Sequence, residues 1–154
     1  MPATNDAPGD VIFHRPGVAI VRWDAACKAV WVEWQGWANP HEFAETLEAG
    51  LVALIEHRGS CWLADCRGMK AIQQSDQEWI DRNWFPRALA AGMKRMATIL
   101  PISGLAKMNL EDIMSKVPVT KLNVGFFATV AEGRTWLAAP STQTPAGLRA
   151  MPVS

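Results

Sequence analysis

The hydrophobic pattern of this chain changes period once, near Asn39, and that change limits the folds open to it. Before this point, three short runs rich in β-branched and aromatic residues follow one another, at residues 11–14, 18–23 and 29–34. Short connections such as Arg15-Pro16-Gly17 separate them. Strands linked so closely pair antiparallel, because a parallel pair needs a long crossover. The first third of the chain therefore predicts an antiparallel meander.

After Asn39, helical and strand-like segments alternate. Asn39 as N-cap, Pro40 at the first helical position and Glu42 at the third predict a helix start. The apolar residues that follow recur at helical spacing to about Arg58. The next run, residues 60–65, is continuously apolar up to its last residue, as a buried parallel strand is. Together these segments predict a β-α-β crossover.

The rest of the chain repeats this alternation. Strands are predicted at residues 95–100 and 122–127. The predicted helix signals are a capping box at Ser75 and Glu78, a cap at Asn109 and a capping box at Thr129 and Glu132. Pro86 should kink or break the helix that begins at Ser75, with a further turn or two after it. The order β-β-β-α-β-α-β-α-β-α predicts an α/β fold on a mixed sheet, with an N-terminal antiparallel meander, then β-α-β units, and about four helices.

Length and composition limit the organisation and the partners. The 154 residues suit one domain, which we place at residues 10–139. Residues 1–9 and 140–154 contain several prolines and glycines, so we expect flexible termini. The 15 basic residues equal the 15 acidic ones, which argues against nucleic acid as a partner because counterion release needs a basic surface. No stretch approaches the roughly 18 apolar residues of a membrane span.

The three cysteines, Cys27, Cys61 and Cys66, form no CxxC motif. An odd number without such a motif predicts buried, reduced thiols rather than a disulfide framework. The first ten residues contain no apolar run and so no secretory signal. We therefore expect a cytoplasmic protein.

Several stretches resemble the SpoIIAA-like group of bacterial STAS/SEC14-type domains. The resemblance lies in Asp24, which follows a strand that ends in Trp, and in residues 28–31, 62–68, 94–97 and 126–137. The last of these stretches reads Phe-Phe-Ala-Thr-Val-Ala-Glu-Gly-Arg-Thr-Trp-Leu. The resemblance covers roughly residues 10–139 and implies a STAS/SEC14-like fold, related to anti-sigma-factor antagonists and to lipid-carrying domains. In the antagonists a phosphorylated serine follows the strand-closing Asp. Here Asp65 precedes Cys66-Arg67-Gly68, and the next serine is Ser75.

The first candidate site is the loop that follows the predicted strand 60–65. It contains Asp65, Cys66, Arg67, Gly68 and Lys70. Open α/β sheets bind ligands beyond the carboxyl ends of their strands, and a cysteine beside an arginine can have a lowered pKa. The structural alternative is that the Asp65 carboxylate caps the N–H groups of its own loop.

The second candidate site is a helical segment rich in aromatic and basic residues. Its residues are Trp79, Arg82, Trp84, Phe85 and Arg87. Five residues of α-helix turn through about 500°, so Trp79 and Trp84 do not share one narrow stripe. One ring would then be exposed beside the arginines, as in interface hot spots. The alternative is that Pro86 bends the chain so that both rings are buried.

No catalytic or metal-binding motif is present. His41-Glu42 has Glu45 where a zinc-protease helix has its second histidine. We therefore predict no metal and no cofactor. The leading hypothesis is a non-enzymatic binding or regulatory module that acts through protein–protein contacts, as a homodimer. The alternatives are a carrier of an apolar, lipid-like small molecule in a pocket near the 65–70 loop, and an enzyme that uses Cys66 or Asp65.

Overall fold

The strands form a single six-stranded sheet whose order in space equals their order along the chain. The computed structural model describes residues 9–117 and 121–139. The strands are β1 (Asp10–Arg15), β2 (Ala19–Asp24), β3 (Ala29–Trp34), β4 (Cys61–Asp65), β5 (Arg95–Ile99) and β6 (Asn123–Phe127). Strands β1 to β3 pair antiparallel, and β3 to β6 pair parallel. The predicted α/β fold with a mixed sheet and an N-terminal meander is confirmed. The predicted flexible termini lie outside the described residues, apart from Gly9.

Four helical segments pack on this sheet, the number that the sequence predicts. They are α1 (Pro40–Glu56), a three-part segment made of α2 (Gln74–Trp79), a π-helical turn (Ile80–Trp84) and α3 (Phe85–Ala90), then α4 (Gly104–Ser115) and α5 (Val130–Ala138). None of the helices in the described ranges has the length and apolar character needed to cross a bilayer.

The two faces of the sheet are covered unequally. The segments α1 to α4 share one large apolar core with residues such as Val30, Trp62 and Met96. Helix α5 contributes Trp136 and Leu137 to a smaller core on the opposite face. Each crossover from β3 to β6 leads to the next strand on the same side. Because these crossovers have the same hand, their helices lie on the same face of the sheet. The last helix follows β6 and is free to cover the other face.

Two helix starts follow the sequence signals directly. The Asn39 side chain accepts a hydrogen bond from the Glu42 N–H at 2.8 Å, and the Glu42 carboxylate accepts one from the Asn39 N–H at 3.0 Å. Thr129 and Glu132 form the same reciprocal pair at the start of α5. Both predicted capping boxes are confirmed, because each one satisfies two N–H groups that the helix leaves without partners.

Two other helix starts differ from the prediction. Helix α2 begins one residue before Ser75, after Gln73, and no side chain caps it. Helix α4 begins at Gly104, where the Ser103 hydroxyl accepts a hydrogen bond from the Ala106 N–H at 3.2 Å. Asn109 lies in the middle of α4 and uses its side-chain oxygen to accept the Ile72 N–H at 2.8 Å. The predicted cap thus stabilises a neighbouring loop instead.

The π-helical turn corrects the argument that Trp79 and Trp84 face different directions. The Phe85 N–H donates to the Ile80 carbonyl, five residues back, which widens the helix by one residue per turn. Residues five apart across this turn then come to the same side. Trp84 is buried edge-on against Trp62 at 4.8 Å between ring centroids, and half-buried Trp79 packs against the same core. Pro86, which we predicted to kink or break the helix, lies in the first turn of α3, and the helical segment continues to Ala90.

Gly50 allows α1 to approach the sheet closely. A Cβ atom at this position would overlap the ring of Trp62, which is fully buried. We predict that Gly50→Ala lowers the free energy of unfolding by about 1–3 kcal/mol, the usual cost of overpacking a core, although alanine favours helix by up to about 1 kcal/mol.

Gly104→Ala is the matched control, because a Cβ atom there meets no atom within 4 Å. We expect this variant to be as stable as the wild type or slightly more stable in urea denaturation. Equal stability of the two variants would contradict close packing of α1 on Trp62.

Candidate functional site

The four parallel strands all end at one edge of the sheet, which we call the carboxyl edge. The residues at which they end are Trp34, Asp65, Ile99 and Phe127. The loops that leave this edge are residues 35–39, 66–73, 100–103 and 128–129. Ligands of open α/β sheets bind in this position. The first candidate site, residues 65–70, lies here.

The three longer loops of this edge pack directly on one another. A Cβ atom at Gly68 would lie 2.8 Å from the Trp34 carbonyl, so glycine permits the contact with the loop 35–39. The Ile102 N–H donates to the Arg67 carbonyl at 3.4 Å, which joins the loops 66–73 and 100–103. The Cys66 N–H donates to the Ile99 carbonyl at 3.1 Å. The backbone of the carboxyl edge is therefore fixed by contacts within the fold.

Asp65 and Arg67 form a two-pronged ion pair. Arg67 donates from Nε at 2.8 Å and from Nη2 at 2.7 Å to the two carboxylate oxygens of Asp65. Asp65 is buried, whereas about half of the Arg67 side chain is exposed. The hydrogen bonds to Asp65 raise the pKa of Arg67 above its ordinary value. These contacts support a structural role for Asp65. Its carboxylate accepts hydrogen bonds from the Arg67 side chain as well as from the backbone of its own loop.

Cys66 points away from solvent into the large core. Burial raises the pKa of its thiol well above the ordinary value, and the charge of Asp65 adds to this. Arg67 does not lower that pKa, because its guanidinium group is bound to Asp65. A buried thiol with a raised pKa is a poor nucleophile. All three cysteines are free and buried, as predicted.

The space beneath the 66–73 loop is apolar and small. A cavity of about 40 Å³ lies between the sheet and the helices. Its lining includes Trp62, Cys66, Met69, Met96 and Met114. This volume holds a few water-sized groups and not a lipid chain. A carrier function in this pocket would require the helices to separate.

Four large apolar side chains are exposed at the carboxyl edge, and we call them the edge patch. They are Trp37 (49% exposed), Ile102 (87%), Leu105 (56%) and Met108 (64%). None of the four was predicted as a site residue. The helix start predicted at Asn109 placed Leu105 and Met108 in a loop. The spacing of three residues from Ile102 through Leu105 to Met108 indicates three of the four, and in α4 Leu105 and Met108 are exposed while Ala106, Leu110 and Ile113 are buried.

The second candidate site is only partly accessible. Trp84 and Phe85 are buried and Trp79 is half-buried, so the expectation that one of the two tryptophan rings is exposed beside the arginines is corrected. Arg82 is exposed, while Arg87 forms an ion pair with Glu48 and donates to Asn83. The Trp84 indole N–H donates to the Leu47 carbonyl at 3.1 Å. These aromatic residues therefore contribute to the core.

A larger groove lies beside this segment. It has a volume of about 540 Å³, within the range of small-molecule sites. Phe85, Leu89 and Val117 supply apolar surface, and Lys116 and Lys121 are exposed at its rim. The groove is distant in sequence from the 65–70 loop, where the pocket was predicted.

Asp76 is a buried carboxylate at the carboxyl edge that the sequence analysis did not select. It is only 6% exposed, and its pKa is raised by burial. It lines a space of about 10 Å³ together with Lys70, Trp34 and Phe43. Lys70, a predicted site residue, is exposed. Among the described residues, no three His, Cys, Asp or Glu side chains come together as a potential metal site.

Comparison with known proteins gives no relative. No protein-family model matches the chain, and neither a curated protein nor a solved structure matches it at a significant level. The α/β class of the fold therefore rests on the structure itself, and the SpoIIAA-like resemblance stays a prediction.

Removal of Arg67 should destabilise the fold, because it leaves the buried Asp65 carboxylate without its partner. We predict a loss of about 1–3 kcal/mol in the free energy of unfolding for Arg67→Ala, measured by urea denaturation. Arg67→Lys should recover only part of this loss, because one ammonium group cannot reproduce two parallel hydrogen bonds. Arg82→Ala, at an exposed arginine, should change stability by less than about 0.5 kcal/mol. A similar effect of Arg67→Ala and Arg82→Ala would show that the ion pair contributes little.

Cys66 should react with thiol reagents only when the protein opens. We expect the labelling rate, followed by mass spectrometry of the native protein, to increase with urea in parallel with unfolding. Rapid labelling of Cys66 in native buffer would restore the hypothesis of a reactive thiol.

Proposed function

We propose that this chain is a non-enzymatic, STAS/SEC14-like binding module that acts through protein–protein contacts at its carboxyl edge, and that a second copy of the chain is one partner. The observation that carries the proposal is the edge patch. Exposed apolar clusters at one place on a surface are typical of interaction sites. Tryptophan in particular is enriched among residues that dominate binding energies.

The rigidity of the carboxyl edge supports this proposal. Backbone hydrogen bonds and the Gly68 contact hold the three loops against one another. Binding to a surface that is already ordered costs less conformational entropy than binding to a mobile one. The edge patch is therefore presented in a fixed arrangement.

The chemistry of the edge favours binding over catalysis. The Asp65 carboxylate is fully engaged by Arg67, and the Cys66 thiol is buried with a raised pKa. Neither group has the exposure that a nucleophile or a general base needs. The enzyme hypothesis thus loses the support of the two residues on which it was based.

A second copy is a reasonable partner on electrostatic grounds. The chain carries no net charge at neutral pH, so two copies do not repel each other at long range. Closed dimers, in which the same patch is used on both subunits, are the commonest oligomers of soluble proteins.

The test is a charge placed in the edge patch. We predict that Leu105→Glu shifts a dimeric wild type to a monomer in size-exclusion chromatography with light scattering, with a dimer dissociation constant raised at least tenfold. Val52→Glu is the matched control, because Val52 is equally exposed on α1, away from the carboxyl edge. A wild type that stays monomeric at all concentrations removes the second copy as partner. Dimers that resist Leu105→Glu place the interface elsewhere.

The 540 Å³ groove favours a second candidate function, the binding of a small amphipathic anion. Its apolar surface would hold the hydrocarbon part, and Lys121 would face the charged group. Lys116 already pairs with Asp112 at 3.6 Å, and Asp81 also lines the groove. Native mass spectrometry of protein purified from cells tests this proposal. A bound species that disappears in Lys121→Glu supports it, and a protein that carries no such species, and does not bind decanoate when it is added, contradicts it.

A further inference from the structure

The four parallel strands begin at the edge of the sheet opposite the carboxyl edge, which we call the amino edge. Backbone hydrogen bonds join the segments that lead into these strands. The Ser60 N–H donates to the Lys28 carbonyl at 3.3 Å, and the Lys94 N–H donates to the Ser60 carbonyl at 2.8 Å. The Asn123 N–H donates to the Lys94 carbonyl at 3.0 Å. The four segments therefore lie side by side, in the order of the strands.

An exposed basic residue precedes each of these strands, and we call the four residues the basic row. They are Lys28, Arg58, Lys94 and Lys121. Neighbouring strands lie about 4.8 Å apart, so the row extends over roughly 15 Å along the amino edge. None of the four forms an ion pair within the part of the chain that the structure describes.

Acidic residues do not balance this charge. The segments of the amino edge, residues 24–28, 56–60, 91–95 and 121–123, contain five lysines and arginines and two acidic residues. Of the acidic residues, Asp24 is paired with Arg134, and Glu56 is exposed. Asp10, at the start of β1, lies two strands beyond the row. Buried Arg95 adds a positive charge that forms no ion pair among the described residues. Although the chain as a whole is neutral, its amino edge is therefore positively charged.

Two residues of the basic row adopt a backbone conformation that favours glycine. The φ angle is 54° at Lys28 and 53° at Arg58, and no other residue apart from glycine has a positive φ in the described ranges. A side chain with a Cβ atom makes this conformation less favourable. Long basic side chains at both positions are thus not explained by the backbone, which indicates that their charge is used.

The form of the basic row suits a diffuse anionic surface. Lys28, Arg58 and Lys94 line none of the three cavities described above. Three of the four residues are lysines, whose ammonium groups act as mobile point charges and impose no fixed geometry on a ligand. An anionic bilayer attracts clusters of such residues near its surface.

A single-stranded nucleic acid fits this edge less well. Proteins bind its bases by stacking them on aromatic rings that are open to the solvent. Trp23 lies at the amino edge against Gly59, but its ring is half-buried and His57 stacks on it with ring centroids 4.5 Å apart. This ring is therefore already stacked within the fold.

We propose that the basic row binds the surface of a membrane that contains anionic lipids. The ammonium and guanidinium groups face the lipid phosphates, and the strands point away from the bilayer. The carboxyl edge then lies on the far side of the domain, where the edge patch stays accessible to a protein partner. This interaction goes beyond the proposed function and does not depend on it.

The experiment is co-sedimentation of the full chain with vesicles made of equal amounts of phosphatidylcholine and phosphatidylglycerol, and with vesicles of phosphatidylcholine alone. We expect binding to the anionic vesicles only, with a partition constant that falls as salt is added, because salt screens exposed charges. The variant Lys28→Gln/Lys94→Gln should lower the partition constant about 25-fold, since each basic residue near an anionic surface contributes about fivefold.

Two variants are the controls. Lys70→Gln removes an exposed lysine at the carboxyl edge and should bind as the wild type does. Lys28→Arg/Lys94→Arg keeps the charge of the basic row and should also bind as the wild type does. A wild type that does not bind the anionic vesicles overturns the proposal. Equal binding to phosphatidylcholine vesicles, or binding that is unchanged in Lys28→Gln/Lys94→Gln, overturns it too.

Other polyanions are tested in the same way. If oligothymidylate or poly-glutamate binds more tightly than the anionic vesicles, and Lys28→Gln/Lys94→Gln removes that binding, the partner is a nucleic acid or an acidic protein and the membrane proposal fails. Leu105→Glu should bind the anionic vesicles as the wild type does, because Leu105 lies on α4 at the opposite edge of the sheet. Loss of self-association and loss of vesicle binding are therefore measured separately.

Discussion

The contact between Trp62, Gly50 and Trp84 determines how the helices sit on the sheet. Trp62 lies on β4, in the middle of the sheet, and is almost completely buried. Its ring fits against α1 only because Gly50 has no side chain. On its other side it meets Trp84, whose indole N–H is bound to the Leu47 carbonyl of α1. One aromatic residue thus joins the sheet, α1 and the π-helical turn, which belong to the two helical segments that follow the loops 35–39 and 66–73.

The features that the sequence predicts correctly are those set by neighbouring residues or by long periodic patterns. The meander follows from short connections, and the capping boxes at Asn39 and Thr129 follow from contacts three residues apart. Asn109 shows where this reasoning stops. It has the residue type of a cap, but its side chain is satisfied by the Ile72 N–H, 37 residues away in sequence. Which partner a polar side chain finds depends on the tertiary structure, and local propensity does not specify it.

The same limit applies to the candidate site. The strand-closing Asp65 and its loop are recognisable, because a carboxylate at the end of a buried strand is unusual in a sequence pattern. The burial of Trp84 is not recognisable, since an α-helical period places it on the wrong side and only the π-helical turn restores it. Asp76 looks like an ordinary acidic residue in a first helical turn, where it would favour the positive end of the helix dipole. The tertiary structure shows that it is 6% exposed.

Apolar surface and buried charge contribute to binding in different ways. An exposed apolar patch supplies binding energy with little discrimination, because water is displaced from any surface of suitable shape. A buried charge discriminates strongly, because a ligand that lacks the opposite charge leaves it unpaired. Asp65 does not serve this purpose, since Arg67 already neutralises it within the fold. The carboxyl edge therefore offers apolar surface, and its strand-closing charge is already paired.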